Sequence, residues 1–359
     1  MTDDPPISPE ISATAPPEAE AAGSLAETPG EEYPSAQDVS ARTGSGQIGS
    51  GQVEPGQIEP GQIEPGPTYD WPAPQEPLAQ MQPLAPPPPP PLIPHMGNFG
   101  VFLVLLIVSL FVAVIGIVVV LHFALPHEAA NKLIANLTQN ILVAMSMQGV
   151  WYGCLWGLTA LVLGLWWKTV AGVGFLQGIQ WNAGVAKRRF FLLAGAGLAT
   201  GLLVTLAGNF VPMPKAPPIL EDLTKSPLGA WALMIFGVTL APLTEELAFR
   251  GLLLPGLINV FRWLQRKGSI GEETVRTIGI PLSIVLTSLP FAFMHAQQVS
   301  FSWGPVLLIG CVSIILCIVR LRTKSLASSI LVHSFYNLTL FTGLLIQTDG
   351  FRHLEKLKG

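Results

Sequence analysis

From Phe99 onward the chain alternates long apolar runs with short polar joints; before that point no apolar period is visible. A helix needs roughly 20 apolar residues to cross a hydrocarbon core. The pattern predicts spans over 99–125, 137–167, 190–211, 227–264, 278–296, 303–319 and 326–346. Pro126 closes the first, and Pro212 with Pro214 closes the third. The fourth run is longer than a bilayer requires and has Pro242 inside it, so a kink or a projecting end is expected. Residues 168–189 are Gly-rich, hold Gln177, Gln180 and Asn182, and end in Lys187-Arg188-Arg189. They read as a loop or interfacial helix, with an extra span as the alternative. The expected fold is all-α: a polytopic transmembrane bundle of seven or eight spans over 99–346, followed by a short polar tail at 347–359.

Residues 1–98 are of another kind. They are rich in Pro, Gly, Glu, Ser and Ala, which cannot bury enough surface to offset chain entropy, so a disordered tail is expected. GQIEP recurs at 56–60 and 61–65, a unit too small to stack, and Pro86–Pro91 is an unbroken proline run. That run should be a polyproline II rod: a stiff stalk before the membrane, or a ligand for an aromatic groove on an unknown protein partner. The start, Met1-Thr2-Asp3-Asp4, lacks a basic and then apolar leader, so no cleaved signal peptide is expected.

Composition agrees with the pattern. Half the residues are hydrophobic and 12% are charged, about half of what a soluble chain carries. Cys154, Cys311 and Cys317 sit in apolar runs without metal-type spacing and read as small packing residues. The net charge of -4 hides a split: residues 1–98 hold 14 acidic residues against Arg42 alone, and the remainder holds 18 basic and 9 acidic. A basic body suits membrane lipid with an anionic leaflet rather than nucleic acid. The basic residues fall on alternate loops. Lys168, Lys187, Arg188, Arg189, Arg262, Arg266, Lys267, Arg276, Arg320, Arg322 and Lys324 face one side, against Lys132, Lys215 and Lys225 on the other. The positive-inside rule places the first set and the N-terminal tail in the cytoplasm of an integral multi-pass protein, in the plasma or inner membrane if the source is bacterial. With seven spans the C-terminal tail then falls outside, a mild conflict with its own Arg352, Lys356 and Lys358 that an eighth span would remove.

Three i,i+4 pairs carry the candidate chemistry: Glu246 with Arg250, Phe291 with His295, and His333 with Asn337. Each presents two side chains to one side of a helix. Ionisable groups in an apolar span are costly unless they pair, face a cavity or do chemistry. Glu246 and Arg250 can neutralise each other, while Glu245 points about 100° away and needs another partner. If the three faces turn inward they enclose a carboxylate, two imidazoles and a carboxamide, an inventory suited to hydrolysis by water. Such pairs are also found as helix–helix glue and in proton relays, so spacing alone leaves a structural bundle and an ion-coupled transporter open.

Glu245-Glu246-x-x-x-Arg250, Phe291-x-x-x-His295, then Arg322-Thr-Lys-Ser-Leu and His333-x-x-x-Asn337 resemble, in order and spacing, the motifs of the CAAX prenyl protease and bacteriocin-processing family of intramembrane proteases. The resemblance covers roughly 229–346. It implies a helical-bundle endopeptidase that cuts a membrane-embedded or membrane-proximal peptide, lipidated substrates included. By that analogy Glu245 and His295 activate water, His333 and Asn337 stabilise the oxyanion, and Arg250 orients the pair Glu245 and Glu246. The family is often labelled a metalloprotease; a divalent metal such as zinc on Glu245, His295 and His333 is one version, a glutamate mechanism without metal the other. A non-catalytic immunity or scaffold protein of the same fold is the alternative function.

One geometric difficulty accompanies the motifs. Glu245 lies about 25 Å from the outer start of the fourth span, and His295 about 26 Å from the inner start of the fifth. They share a depth only if one helix projects beyond the bilayer.

Overall fold

The computed structural model describes residues 66–68, 70, 89–135, 141–214 and 226–357. The expected disordered tail therefore lies outside the described residues, apart from 66–68, 70 and 89–98. In chain order the helices are α1 (Met96–Ala124), α2 (His127–Ala135), α3 (Ile141–Ala171), α4 (Phe175–Gly178), α5 (Ala183–Arg188) and α6 (Phe190–Ala207). They continue as α7 (Pro227–Arg266), α8 (Glu272–Met294), α9 (Trp303–Thr323) and α10 (Leu326–Gln347). Seven of them, α1, α3, α6, α7, α8, α9 and α10, are long and apolar enough to cross a membrane, and no strand occurs among the described residues. The protein is a multi-pass membrane bundle. Residues 168–189 form α4 and α5, too short to span, and no eighth membrane-length helix occurs among the described residues. With seven crossings, the residues just before α1 and just after α10 lie on opposite sides of the bundle.

α1 begins at Met96, where the His95 amide donates to Asn98 Oδ1 at 2.9 Å. The residues before it do not stand free. Asn259 Nδ2 donates to the Pro94 carbonyl and Arg266 Nη1 to that of Pro90, both at 2.7 Å, so the end of the proline run lies along α7. Apolar side chains of α1 and α3 (Phe102, Leu105, Leu155, Leu163) meet Leu247 and Leu252 of α7 and Leu326 of α10 in the main core.

α6 and α10 pack backbone to backbone. A Cβ on Gly197 would sit 2.5 Å from the Val332 carbonyl oxygen, and one on Gly201 2.5 Å from Thr339 Cβ. In a membrane, where lipid tails are as apolar as leucine, such close approach is what holds helices together. This contact fixes α10, which carries His333 and Asn337.

α7 is 40 residues long and is not one regular helix. Pro242 has no N–H for the Val238 carbonyl, and the helix breaks at Thr239 (φ −118°, ψ −75°), whose hydroxyl donates to the Ile235 carbonyl at 2.6 Å. A π-helical stretch, Leu247–Leu253, follows directly after the glutamates. The expected kink is thus present, and the wider π turns next to it are a feature often found at functional sites.

The projecting end resolves the depth difficulty. From Glu245 to Arg266 is about 32 Å of helix, from His295 back to Glu272 about 34 Å, and from His333 back to Leu326 only about 10 Å. With the three side chains in contact, the α7–α8 hairpin reaches roughly 20 Å further than the start of α10 on the same side. After α10 the chain folds back: Phe351 and Leu354 are buried against Ala230 and Met234 near the start of α7, and Phe351 meets Trp231 edge-on at 5.2 Å. The segment expected as a polar tail thus contributes apolar packing.

Candidate active site

Glu246 and Arg250 lie one turn apart on α7, both with no solvent exposure. Arg250 Nη1 donates to Glu246 Oε1 at 2.9 Å. Its Nη2 donates to the carbonyl and hydroxyl oxygens of Ser313 on α9, at 2.9 and 2.7 Å. The guanidinium carbon sits 4.4 Å from the centre of the Phe291 ring, a cation–π contact in a dry setting. Arg250 is therefore tied to three helices, and it holds Glu246 alone rather than both glutamates.

The same Glu246 oxygen reaches His333 Nδ1 at 3.0 Å. A carboxylate oxygen only accepts, so Nδ1 carries the proton. An ordered line thus runs Ser313–Arg250–Glu246–His333 across α9, α7 and α10. It leaves His333 Nε2 directed at Glu245, 3.8 Å from Oε2.

His295 is the residue on which α8 ends. Its Nδ1 donates to the Phe291 carbonyl one turn back, at 2.8 Å, which makes its Nε2 the acceptor, and that nitrogen lies 3.7 Å from the same Glu245 oxygen. Glu245 Oε2 is buried and has no hydrogen-bond partner in the protein. Two imidazoles from α8 and α10 thus converge on one carboxylate oxygen from α7. Polar contacts of this length are commonly bridged by a water.

Asn337 lies one turn beyond His333. It lines the same cavity, and one of its two amide hydrogens goes to the Gly237 carbonyl at 2.7 Å, leaving the other uncommitted. The cavity has a volume of about 360 Å³ and also takes in Gln148 and Tyr152 of α3 and Gln298 just after His295. It runs from Glu245 along Leu233, Phe341 and Leu344, toward the end of the bundle opposite the basic one.

The six residues singled out in the sequence fall into two groups. Glu245, His295, His333 and Asn337 border the cavity; Glu246 and Arg250 sit behind it and reach it through His333. For the metal version, no group of three or more His, Cys, Asp or Glu among the described residues is spaced to hold an ion. Sequence reasoning missed Ser313, a lone hydroxyl in the apolar run of α9, and the carbonyl role of Phe291. It also missed Tyr152 and Gln148, polar positions in a span that carries none of the motifs.

With this geometry in view, residues 227–339 match the family model described as Rce1-like, type II CAAX prenyl endopeptidase Rce1-like. That segment is similar to the Rce1-like family. It opens on the first residue of α7 and closes within α10, so it takes in Glu245, Glu246, Arg250, His295, His333 and Asn337. The matched segment leaves out α1 to α6, although α3 lines the cavity and α6 holds α10 in place. No curated protein and no solved structure matches the chain.

Proposed function

We propose that the protein is an intramembrane endopeptidase that hydrolyses a peptide bond in a membrane-embedded or membrane-proximal substrate with an activated water. The observation that supports this most is the convergence of His295 Nε2 and His333 Nε2 on one unpartnered Glu245 oxygen, at 3.7 and 3.8 Å. A water between them donates one hydrogen to Glu245 and the other to His295 Nε2, whose acceptor state is fixed by Phe291.

Glu245 removes a proton from the water while the water oxygen bonds to the scissile carbonyl carbon. Charge develops on the carbonyl oxygen, toward which His333, protonated on both nitrogens, offers Nε2–H and Asn337 its second amide hydrogen. Glu245 passes the proton to the departing nitrogen, the C–N bond breaks, and a carboxylic acid and an amine leave. Glu246 and Arg250 are positioning residues in this scheme. They keep two carboxylates, one guanidinium and one imidazolium together as a neutral set, which is what a low-dielectric interior tolerates.

With the basic end in the cytoplasm, the long tail is cytoplasmic and the cavity runs toward the external half of the membrane. The test uses the purified full chain in detergent with a library of membrane-spanning and membrane-proximal peptides, prenylated members included. Cleavage by the wild type that disappears in His295→Gln supports the reading. A wild type that binds peptides without cutting any of them, and a His295→Gln variant that binds equally well, contradict it in favour of a non-catalytic role.

A further inference from the structure

A second polar cavity lies at the basic end of the bundle. It has a volume of about 290 Å³ and is bounded by Pro94, Gln180 after α4, Asn259 and Arg262 of α7, and Arg320 and Lys324 at the end of α9. No carboxylate lines it, and no ion pair among the described residues involves Arg262, Arg320 or Lys324.

Arg320 is the telling member. Only 5% of it is exposed, yet its partners are all neutral oxygens: Arg250 carbonyl at 3.2 Å, Gln180 Oε1 at 2.9 Å and Ile179 carbonyl at 3.2 Å. A guanidinium has five N–H donors, so two remain. Glu246, the carboxylate whose charge reaches Arg320, is already bonded to Arg250 and His333. A buried cation held by carbonyls alone is costly and retains an attraction for an anion of the right shape. Arg262 and Lys324 are exposed at the same cavity and add two further cationic side chains. A planar fork flanked by two further cations matches the oxygens of a phosphate group.

We propose that this cavity is a binding site for a phosphate-class anion, supplied by an anionic lipid headgroup or by free phosphate. Its place at the basic end, beside the membrane boundary of α9, is where pockets between spans meet anionic headgroups. The site is a different cavity from the peptidase one, and Arg250 lies between the two.

The test is thermal unfolding of the full chain, followed by tryptophan fluorescence. One arm titrates inorganic phosphate in a neutral detergent; the other compares nanodiscs of phosphatidylcholine with and without phosphatidic acid. The pocket variant is Arg262→Gln/Lys324→Asn. Both positions are exposed, and asparagine suits the left-handed backbone at 324 (φ +49°). The control, Lys187→Gln/Arg188→Gln, removes the same charge from the same end outside the cavity. Stabilisation by inorganic phosphate in the detergent arm identifies a free anion. Stabilisation by phosphatidic acid alone identifies a headgroup. In either case the pocket variant should bind about tenfold more weakly or worse, with the control unchanged. No stabilisation in either arm, or equal losses in the two double variants, overturns the proposal.

Discussion

Replacing Arg250 with methionine removes the charge at the centre of the site while keeping most of the side-chain volume. In the structure this deletes three hydrogen bonds, to Glu246 at 2.9 Å and to the two oxygens of Ser313 at 2.9 and 2.7 Å, together with the contact over Phe291. It also leaves Glu246, which has no exposure, without its cationic partner and held mainly by His333 at 3.0 Å. Breaking one side of a buried pair in this way typically costs about 3–5 kcal/mol, most of it from the stranded charge. Glu246→Gln should cost a similar amount by stranding Arg250. The double variant Glu246→Gln/Arg250→Met removes both charges, so it should be less damaging than the sum of the singles by about 2–3 kcal/mol. The assay is a double-mutant cycle of thermal unfolding in one detergent. Strict additivity, or an Arg250→Met protein as stable as the wild type, would refute the claim that these two groups exist to neutralise each other.

Three further outcomes are expected. Asn337→Ala should lower kcat by about 10²–10³ with KM little changed, since its free amide hydrogen is assigned to the transition state; an equal rise in KM alone would argue for substrate binding instead. Gly201→Leu should destabilise the fold by about 1–3 kcal/mol or more and lower activity with it, because its side chain would occupy the place of Thr339; unfolding curves that overlay the wild type would discount the α6–α10 contact. Exhaustive chelation should leave cleavage unchanged; activity lost on metal removal and restored by zinc would replace the glutamate scheme with a metal one.

The helices that cross the membrane were legible because their signal, continuous apolarity, is the strongest a sequence carries. The boundaries of α6, α9 and α10 fall within a few residues of the apolar runs. The three i,i+4 pairs were legible for the complementary reason: polar groups in such runs stand out. What lay hidden were features set by tertiary contact. The π turns after Glu246 leave no mark in composition, and Arg320 looks like one more cytoplasmic charge until its burial is seen. Phe351 and Leu354 are isolated apolar residues in a polar segment, a pattern too short to read. A shared depth for Glu245 and His295 requires a helix longer than the bilayer, which the length of the fourth apolar run allows; the α7–α8 hairpin supplies it. Arg250 was expected to orient both glutamates, whereas its geometry reaches only Glu246.

The central claim is that Glu245 is the base that activates water. Its Oε2 has no partner in the protein, so Glu245→Gln should fold normally, with an unfolding temperature within a few degrees of the wild type, and lose activity by a factor of about 10³. The decisive measurement is kcat for Glu245→Gln on a peptide the wild type cleaves, with unfolding recorded on the same preparation. A well-folded, inactive variant is the predicted result; a well-folded variant that cuts at the wild-type rate would contradict the account.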